Sequence, residues 1–349
     1  MTHTEVPPAP TAAGREHLVR LAFGSMAAHT LGAAVRLDVV RLIGDGRSRT
    51  AAEVADAAGT AHRPTTRLLR ALAALGLLTE HTPDTFSVTP AGALLDPDHP
   101  DSLTSFVRVF TDPVIVRAWE HLDRSVRTGE VAFDTVFGTD FFDHLARRPE
   151  LSEHFNAAMS QVVTDTASVL PSAHDFGRFA SVTDVGGGSG TLMAALLATY
   201  PDLRGVVLDT PSGLAEARRT MARHGLEERC SLVAGDFFRS VPAGSDAYLV
   251  KSVLHDWTDE RAVTILRHCR RALPTGGVVL IVEPVLPEVV GADDEGVYLS
   301  DLNMMVNVGG RERTRADFED LCRAANLRVT SVTPLARAAP YCLIEAVAA

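Results

Sequence analysis

Four cysteines in 349 residues, Cys230, Cys269, Cys322 and Cys342, stand far apart and form no C-x-x-C pair. That excludes a disulfide scaffold or a zinc ribbon and reads as buried thiols in a reducing compartment, the cytoplasm. Basic charge is also scarce. Lys and Arg number 33 against 44 Asp and Glu, a net charge of −11. No basic excess exists to neutralise phosphates, so no nucleic-acid partner is expected. No apolar run reaches the ~20 residues of a membrane helix. H-E-x-x-H, G-x-S-x-G and a lysine placed to close a phosphate loop are all missing. The thirteen histidines show no metal-ligand spacing, so no metal is expected. The start, MTHTEVPPAPTAAG, lacks the charge and apolar blocks of a targeting signal and reads as a disordered tail over residues 1–14.

What is present centres on Val182-Thr183-Asp184-Val185-Gly186-Gly187-Gly188-Ser189-Gly190. A short apolar run ends in glycines and an amphipathic segment follows, Leu192 to Tyr200. The pattern is strand, tight turn, helix. The spacing Gly186-x-Gly188-x-Gly190 is followed by Thr191, so the dinucleotide fingerprint G-x-G-x-x-G is not met. Two further runs strengthen it. Leu203 to Leu208 ends in Asp209, an acid placed to take ribose hydroxyls. Ser231 to Gly235 ends in Asp236-Phe237-Phe238, an acid beside an aromatic face suited to adenine. Three successive strand tips of this chemistry predict a site for an adenosine-containing ligand.

The rest of the chain frames that site. Residues 15 to 43 are amphipathic and helical, with a break expected near Gly24-Ser25 or Gly32. Leu18, Leu21, Met26 and Leu31 lie on a face apolar enough to need a partner. Residues 48 to 89 carry a winged helix-turn-helix pattern: helices over 51–58 and 63–75, then a hairpin around Thr82-Pro83-Asp84. Arg63, Arg67 and Arg70 would face phosphate in a DNA-binding reading. Glu53, Asp56 and four leucines favour a structural or dimerising module. Residues 101 to 170 read as helical, punctuated by Pro113, Gly129, Gly138 and Pro149. Phe155, Met159, Val162, Val163 and Val169 mark a last helix that either roofs the ligand site or is plain core.

Beyond Asp236, a strand over 245–251 meets Ser252-Val253-Leu254-His255-Asp256-Trp257. Thr258 with Asp259 and Glu260 reads as a helix cap. A fifth strand, Val278 to Val282, ends in Glu283. Helices follow over 297–306 and from Thr314, capped with Asp317, and two strands over 327–332 and 341–347 close the sheet. This is an α/β fold: a doubly wound, seven-stranded mixed sheet with an antiparallel edge. His255, Glu283 and Glu312 should project over the rim that carries the glycine turn, with the glutamates orienting His255 and favouring its protonated form.

In combination, VTDVGGGSG, VVLDTP, AGDFF, LVKSVLHDW, GGVVLIVEPVLP and GGRERTRADFEDL make the chain, from about residue 15 to its end, similar to a known family. It resembles the S-adenosylmethionine-dependent O-methyltransferases of the plant caffeate and bacterial polyketide- and quinone-tailoring type. The resemblance implies a Rossmann-like class I methyltransferase domain over 178–349 and a winged-helix dimerisation domain over 15–105. Residues 106–177 would be a linker and roof. It implies a homodimer, S-adenosyl-L-methionine as cofactor, and a hydroxylated small-molecule acceptor. Gly186, Gly188, Asp209, Asp236, Phe237 and Lys251 match cofactor-contacting positions. His255 matches the general base, with Glu283 and Glu312 beside it. Phe155, Met159, Asp256, Asn303 and Asn307 match acceptor-lining positions. The imidazole is expected near its ordinary pKa of ~6.5. Plant members have Asn-Pro-Gly-Gly where this chain has Asn307-Val308-Gly309-Gly310, so an aromatic or quinone-type natural product is expected rather than a plant substrate. Two alternatives stay open: an enzyme using the cofactor without methyl transfer, as a hydroxylase would, and a ligand-sensing DNA-binding regulator. An N-methyl acceptor is a further variant.

Overall fold

The computed structural model describes residues 12–349; residues 1–11 of the expected tail, and the side chain of Val162, lie outside it. Ala12, Ala13 and Gly14, read as tail, instead open a helix. The chain divides into two compact units, Met1–Asp112 and Pro113–Ala349.

The first unit runs α1 (Ala12–Ala22), α2 (Gly24–Arg36), α3 (Val39–Ile43), β1 (Ser48–Thr50), α4 (Ala51–Ala58), α5 (His62–Ala74), β2 (Leu78–Thr82), β3 (Thr85–Val88), α6 (Pro90–Ala93) and α7 (Thr104–Phe110). The helical break falls between α1 and α2, which meet at 44°. Gly32 stays inside α2, because it is a point of close approach: a Cβ there would lie 2.5 Å from the Thr111 hydroxyl. The expected hairpin forms, and Ser48–Thr50 adds a third strand in the order β1-β3-β2. Thr50 and Glu53 make a reciprocal cap that starts α4. Ile43, Val54, Leu69, Leu72 and Phe86 fill the core between α4, α5 and the sheet. Arg70 is exposed, but its guanidinium is engaged by carboxylates rather than free for phosphate. It pairs with Glu80 at 3.1 Å and Asp84 at 3.2 Å.

The second unit begins with α8 (Pro113–Trp119), α9 (Leu122–Thr128), α10 (Ala132–Phe137), α11 (Phe141–Ala146) and the long α12 (Pro149–Ala173). Alternation follows: β4 (Ser181–Val185), α13 (Thr191–Thr199), β5 (Arg204–Asp209), α14 (Ala215–His224), β6 (Cys230–Ala234), β7 (Ala247–Lys251), α15 (Asp259–Ala272), β8 (Val278–Leu286), α16 (Glu295–Asn307), β9 (Arg313–Thr314), α17 (Arg315–Ala324), β10 (Leu327–Pro334) and β11 (Tyr341–Ala348). The strands order as β10-β11-β8-β7-β4-β5-β6, with β9 beside the end of β8. The strands from β8 to β6 are parallel, and β11 is antiparallel to both β8 and β10. Leu249 packs with α12, α13 and α14 on one face, while Tyr248 and Val250 pack with α15 and α17 on the other. Both faces are covered, as parallel strands require.

Three local expectations change. β8 does not stop at Val282 but runs through Glu283 and Pro284 to Leu286, since β11 and β9 continue to pair with it. Thr258 occupies the N-cap of α15 but its side chain makes no capping bond; Asp259 is drawn instead into ion pairs with Arg311 and Arg313. The eighth strand, β9, is only two residues long and leaves no alternation to read. Thr314 and Asp317 do form a reciprocal cap on α17. Among the described residues no single helix is long and apolar enough to cross a membrane.

Candidate active site

The tips of β4, β5 and β7 lie side by side, because Asp184 is level with Val207 and with Leu249. Beyond β4 the turn has left-handed φ at Gly186 (+77°), Gly188 (+51°) and Gly190 (+70°), where other residues are strained. A Cβ at Gly187 would strike Asp184 at 2.6 Å, and one at Gly186 would strike Val253 at 2.7 Å. At Gly188 it would meet nothing within 4 Å. The turn is closed toward the sheet and open at Gly188. Asp209, at the end of β5, accepts the Gly188 N–H at 2.8 Å and the Thr210 N–H at 2.6 Å. Burial holds its pKa up against those bonds. Phe237 packs edgewise on Phe238 at 4.9 Å, with its ring 3.6 Å from the Cβ direction of Gly186. Asp236 accepts the Phe238 N–H at 2.8 Å and keeps its carboxylate half exposed. Open backbone, a carboxylate for a diol and an aromatic face are the donor set an adenosine sulfonium ligand needs, and these residues fit it. One group went unassigned in the sequence: Asp184, under the turn, whose pKa burial raises to about 7 with help from Asp209 and against Lys251.

Lys251 ends β7. Burial lowers its pKa to about 8, against the pull of Glu283, Asp184 and Asp256, and its Nζ sits 4.9 Å over the Tyr341 ring. Ser252 then adopts φ +50°. This turns the chain so that the Val253 and Leu254 N–H groups both donate to Glu283 Oε1 at 2.9 Å. His255 follows in a 3-10 turn, Leu254–Asp256. Its Nδ1 lies 3.1 Å from Glu312 Oε1 and 3.6 Å from Glu283 Oε2, and its Nε2 is 3.6 Å from Asp256 Oδ1. Glu283 is 0% exposed and Glu312 2%. Glu312 also accepts the Ser300 hydroxyl at 2.9 Å, and its N–H donates to Asp301 at 2.8 Å. The second oxygens, Glu283 Oε2 and Glu312 Oε2, are buried without a hydrogen-bond donor, and Glu283 Oε2 faces the imidazole at 3.6 Å. One ligand atom from each of the three residues lies within 4.8 Å of the others. The 3.1 Å approach is that of a direct ion pair.

The electrostatics correct one expectation. Burial pulls the His255 pKa down, but Glu283, Asp256 and Glu312 outweigh it and lift it to about 10, not ~6.5. Burial raises Asp256 to about 7, opposed by His255, and raises Glu283 as well.

On the acceptor side, Phe155 and Met159 are half-buried on α12. Phe155 meets Phe141 at 5.3 Å and Phe142 at 6.4 Å, and Phe142 meets Trp257 at 5.2 Å. This aromatic chain ties α12 to the His255 turn. Asn303 Oδ1 accepts the Trp119 indole N–H at 3.2 Å and the buried Asn307 amide at 2.9 Å. The indole is a donor only, so the Asn303 oxygen is committed and its NH2 is the remaining end. Ser300, Asn303 and Asn307 share one face of α16. Their link to His255 runs through Ser300 and Glu312. Two groups therefore form: Gly186, Gly188, Asp209 and Phe237 at the turn, with Asp236 at its edge, and His255, Asp256, Glu283 and Glu312 beyond β7. Lys251 stands between them. Trp119 and Ser300 were missed; a serine one turn before Asn303 was the only signal available.

A doubly wound sheet whose strand tips carry residues that fit an adenosine ligand, with a histidine–carboxylate cluster beside them, has the Rossmann-like architecture of a methyltransferase domain, here joined to a winged-helix unit. Family models agree: an O-methyltransferase domain matches residues 119–328 and an O-methyltransferase dimerisation domain matches 19–97. The chain is 44% identical to the O-demethylpuromycin-O-methyltransferase of Streptomyces alboniger, covering 99% of this chain and 93% of that protein. It is also similar to the solved structure of the mitomycin 7-O-methyltransferase MmcR, at TM-score 0.90 and 37% identity over 97% of this chain and 98% of that one. Against NcsB1, an O-methyltransferase from neocarzinostatin biosynthesis solved with S-adenosylmethionine and 2-hydroxy-5-methyl naphthoic acid, the TM-score is 0.80 at 34% identity, covering 95% and 98%. The chain belongs to the O-methyltransferase family. It is an S-adenosylmethionine-dependent O-methyltransferase with a dimerisation domain.

Proposed function

We propose that the chain methylates a hydroxyl of an aromatic or quinone-type natural product, with His255 as general base. The observation that carries this reading is the His255–Glu312 pair at 3.1 Å, its glutamate buried and its imidazole partly open, one turn beyond the strand that neighbours the glycine turn. The acceptors named for the relatives, O-demethylpuromycin, mitomycin and a hydroxynaphthoic acid, support the substrate class.

Gly186, Gly188, Asp209, Asp236, Phe237 and Lys251 hold S-adenosylmethionine, which when bound supplies an electrophilic sulfonium methyl. Glu312 engages Nδ1 of His255, so Nε2 is the nitrogen left for the acceptor hydroxyl. The proton passes from that hydroxyl to Nε2, and the imidazolium is balanced by Glu283 and Glu312. A phenol holds its proton to a pKa of ~10. His255, lifted to about 10, matches it, so once the pair has lost one proton to solvent the remaining proton moves between them at little cost. Asp256, 3.6 Å from Nε2, borders the acceptor. Phe155, Met159, Phe142 and Trp257, with the helices over 113–173 as roof, exclude water. Asn303 and Asn307 line the far side. Two chains pair through the N-terminal unit, whose α1 buries none of its own residues. The intact His255 cluster favours methyl transfer over a reaction that leaves the methyl in place.

The test is S-adenosylmethionine labelled in its methyl group, incubated with a panel of phenols, hydroxyquinones and aromatic amines. Label in an O-linked product is expected. Label only on nitrogen, or tight cofactor binding with a product that carries no label, would overturn the reading.

A further inference from the structure

We propose that Arg313 is a positioning residue: it clamps the turn that carries His255 so that the imidazole stays in reach of Glu312. This rests on His255 being the base.

Arg313 is the largest fully buried side chain among the described residues, at 0% exposure. A buried guanidinium is costly unless its donors are met. Here Nη1 donates to the Leu254 carbonyl at 2.8 Å and Nη2 to the Trp257 carbonyl at 2.8 Å. Those two carbonyls bracket His255 and Asp256. Nε and Nη2 both donate to Asp259 Oδ1, at 3.1 and 2.8 Å, and Nη1 adds the Arg311 carbonyl at 3.4 Å. One planar fork thus holds both ends of the turn and the first residue of α15, a geometry the single ammonium of lysine cannot reproduce.

The neighbouring backbone is in direct contact as well. A Cβ on Gly310 would sit 1.9 Å from the His255 carbonyl oxygen and 2.7 Å from the Trp257 nitrogen. Gly310 therefore lies against residues 255–257 with no room for a side chain. Glu312 and Arg313 are consecutive, Glu312 just before β9 and Arg313 its first residue. One takes the imidazole and the other takes the backbone around it. Arg313 also begins β9, which pairs with Val285 two residues past Glu283. The base and both glutamates are thus referenced to one guanidinium.

The test compares Arg313→Met, Arg313→Lys, Glu312→Gln and the Met/Gln double variant in the full chain. The readouts are S-adenosylhomocysteine affinity, melting temperature, single-turnover methyl transfer and the low-field His255 imidazole N–H proton resonance, assigned by its loss in His255→Ala. A misplacement near 1 Å costs on the order of a hundredfold. Arg313→Met should therefore keep cofactor affinity within about threefold, transfer methyl about a hundredfold slower, and lose or shift the resonance. Arg313→Lys should recover part of the rate. The double variant should be no slower than its slower parent, because both act on one pair. The proposal is overturned if Arg313→Met folds with its rate and resonance unchanged, if the two losses multiply, or if rate falls only in step with melting and cofactor affinity. If Arg313→Met does not fold, Arg313→Lys with wild-type rate and resonance overturns it. A wild-type chain that labels no acceptor would count against the His255 reading, while the resonance still decides the clamp.

Discussion

At the His255 imidazole two opposing influences meet. Burial favours the neutral ring; Glu283, Asp256 and Glu312 favour the charged one, and they prevail. The protonated ring therefore stabilises the fold fully below about pH 6.5, and that support is lost as pH rises through about 10. The same balance sets the rate. The reactive state holds one proton shared between His255 and the acceptor hydroxyl. With a phenol of pKa ~10, both sites are protonated at neutral pH, so kcat/KM should rise about tenfold per pH unit from roughly 7 to 9. A more acidic acceptor should move that limb down toward its own pKa. A plateau above pH ~6.5 that ignores the acceptor would contradict the shifted imidazole. The placement of Gly186, Gly188, Asp209 and His255 was legible because each stands at or just beyond a strand tip marked by an apolar run. Ser300, Trp119 and Arg313 were not. Their roles come from contacts across 12, 184 and 59 residues, which no local pattern encodes.

Among the elements, the parallel strands were legible and the irregular ones were not. Five apolar runs alternating with amphipathic segments marked β4 to β8. Pro284 hid the end of β8, since a residue without an N–H reads as a strand stop. Two-residue β9 and three-residue β1 are too short to show a period. The turn Gly309-Gly310 was visible only as a turn, although its second glycine is a packing requirement. Gly310→Ala would place a methyl 1.9 Å from the His255 carbonyl. Relieving that overlap should displace the base turn, cost about 1–3 kcal/mol of stability and cut methyl transfer at least tenfold. Denaturant melts and single-turnover rates measure both. A variant with unchanged rate would show that the base turn tolerates movement.

The whole molecule couples a small unit with exposed apolar helices to a larger unit that holds the chemistry. Leu18, Val19, Leu21, Phe23 and Met26 are all more than half exposed along α1 and the start of α2. That is more apolar surface than a solitary helix face leaves in water. The sequence showed this face, its need for a partner and a break near Gly24-Ser25, where α1 and α2 meet at 44°. Leu21→Asp combined with Phe23→Asp should convert a dimer to a monomer in sedimentation analysis, with the fold of the larger unit intact by circular dichroism. An unchanged dimer would place the interface elsewhere. The most direct check of the account is a rapid-quench single turnover with methyl-labelled S-adenosylmethionine, wild type against His255→Ala, at saturating cofactor and acceptor. The account predicts unchanged cofactor affinity and a rate about 10²–10⁴-fold lower in the variant. Equal rates in the two proteins would contradict it.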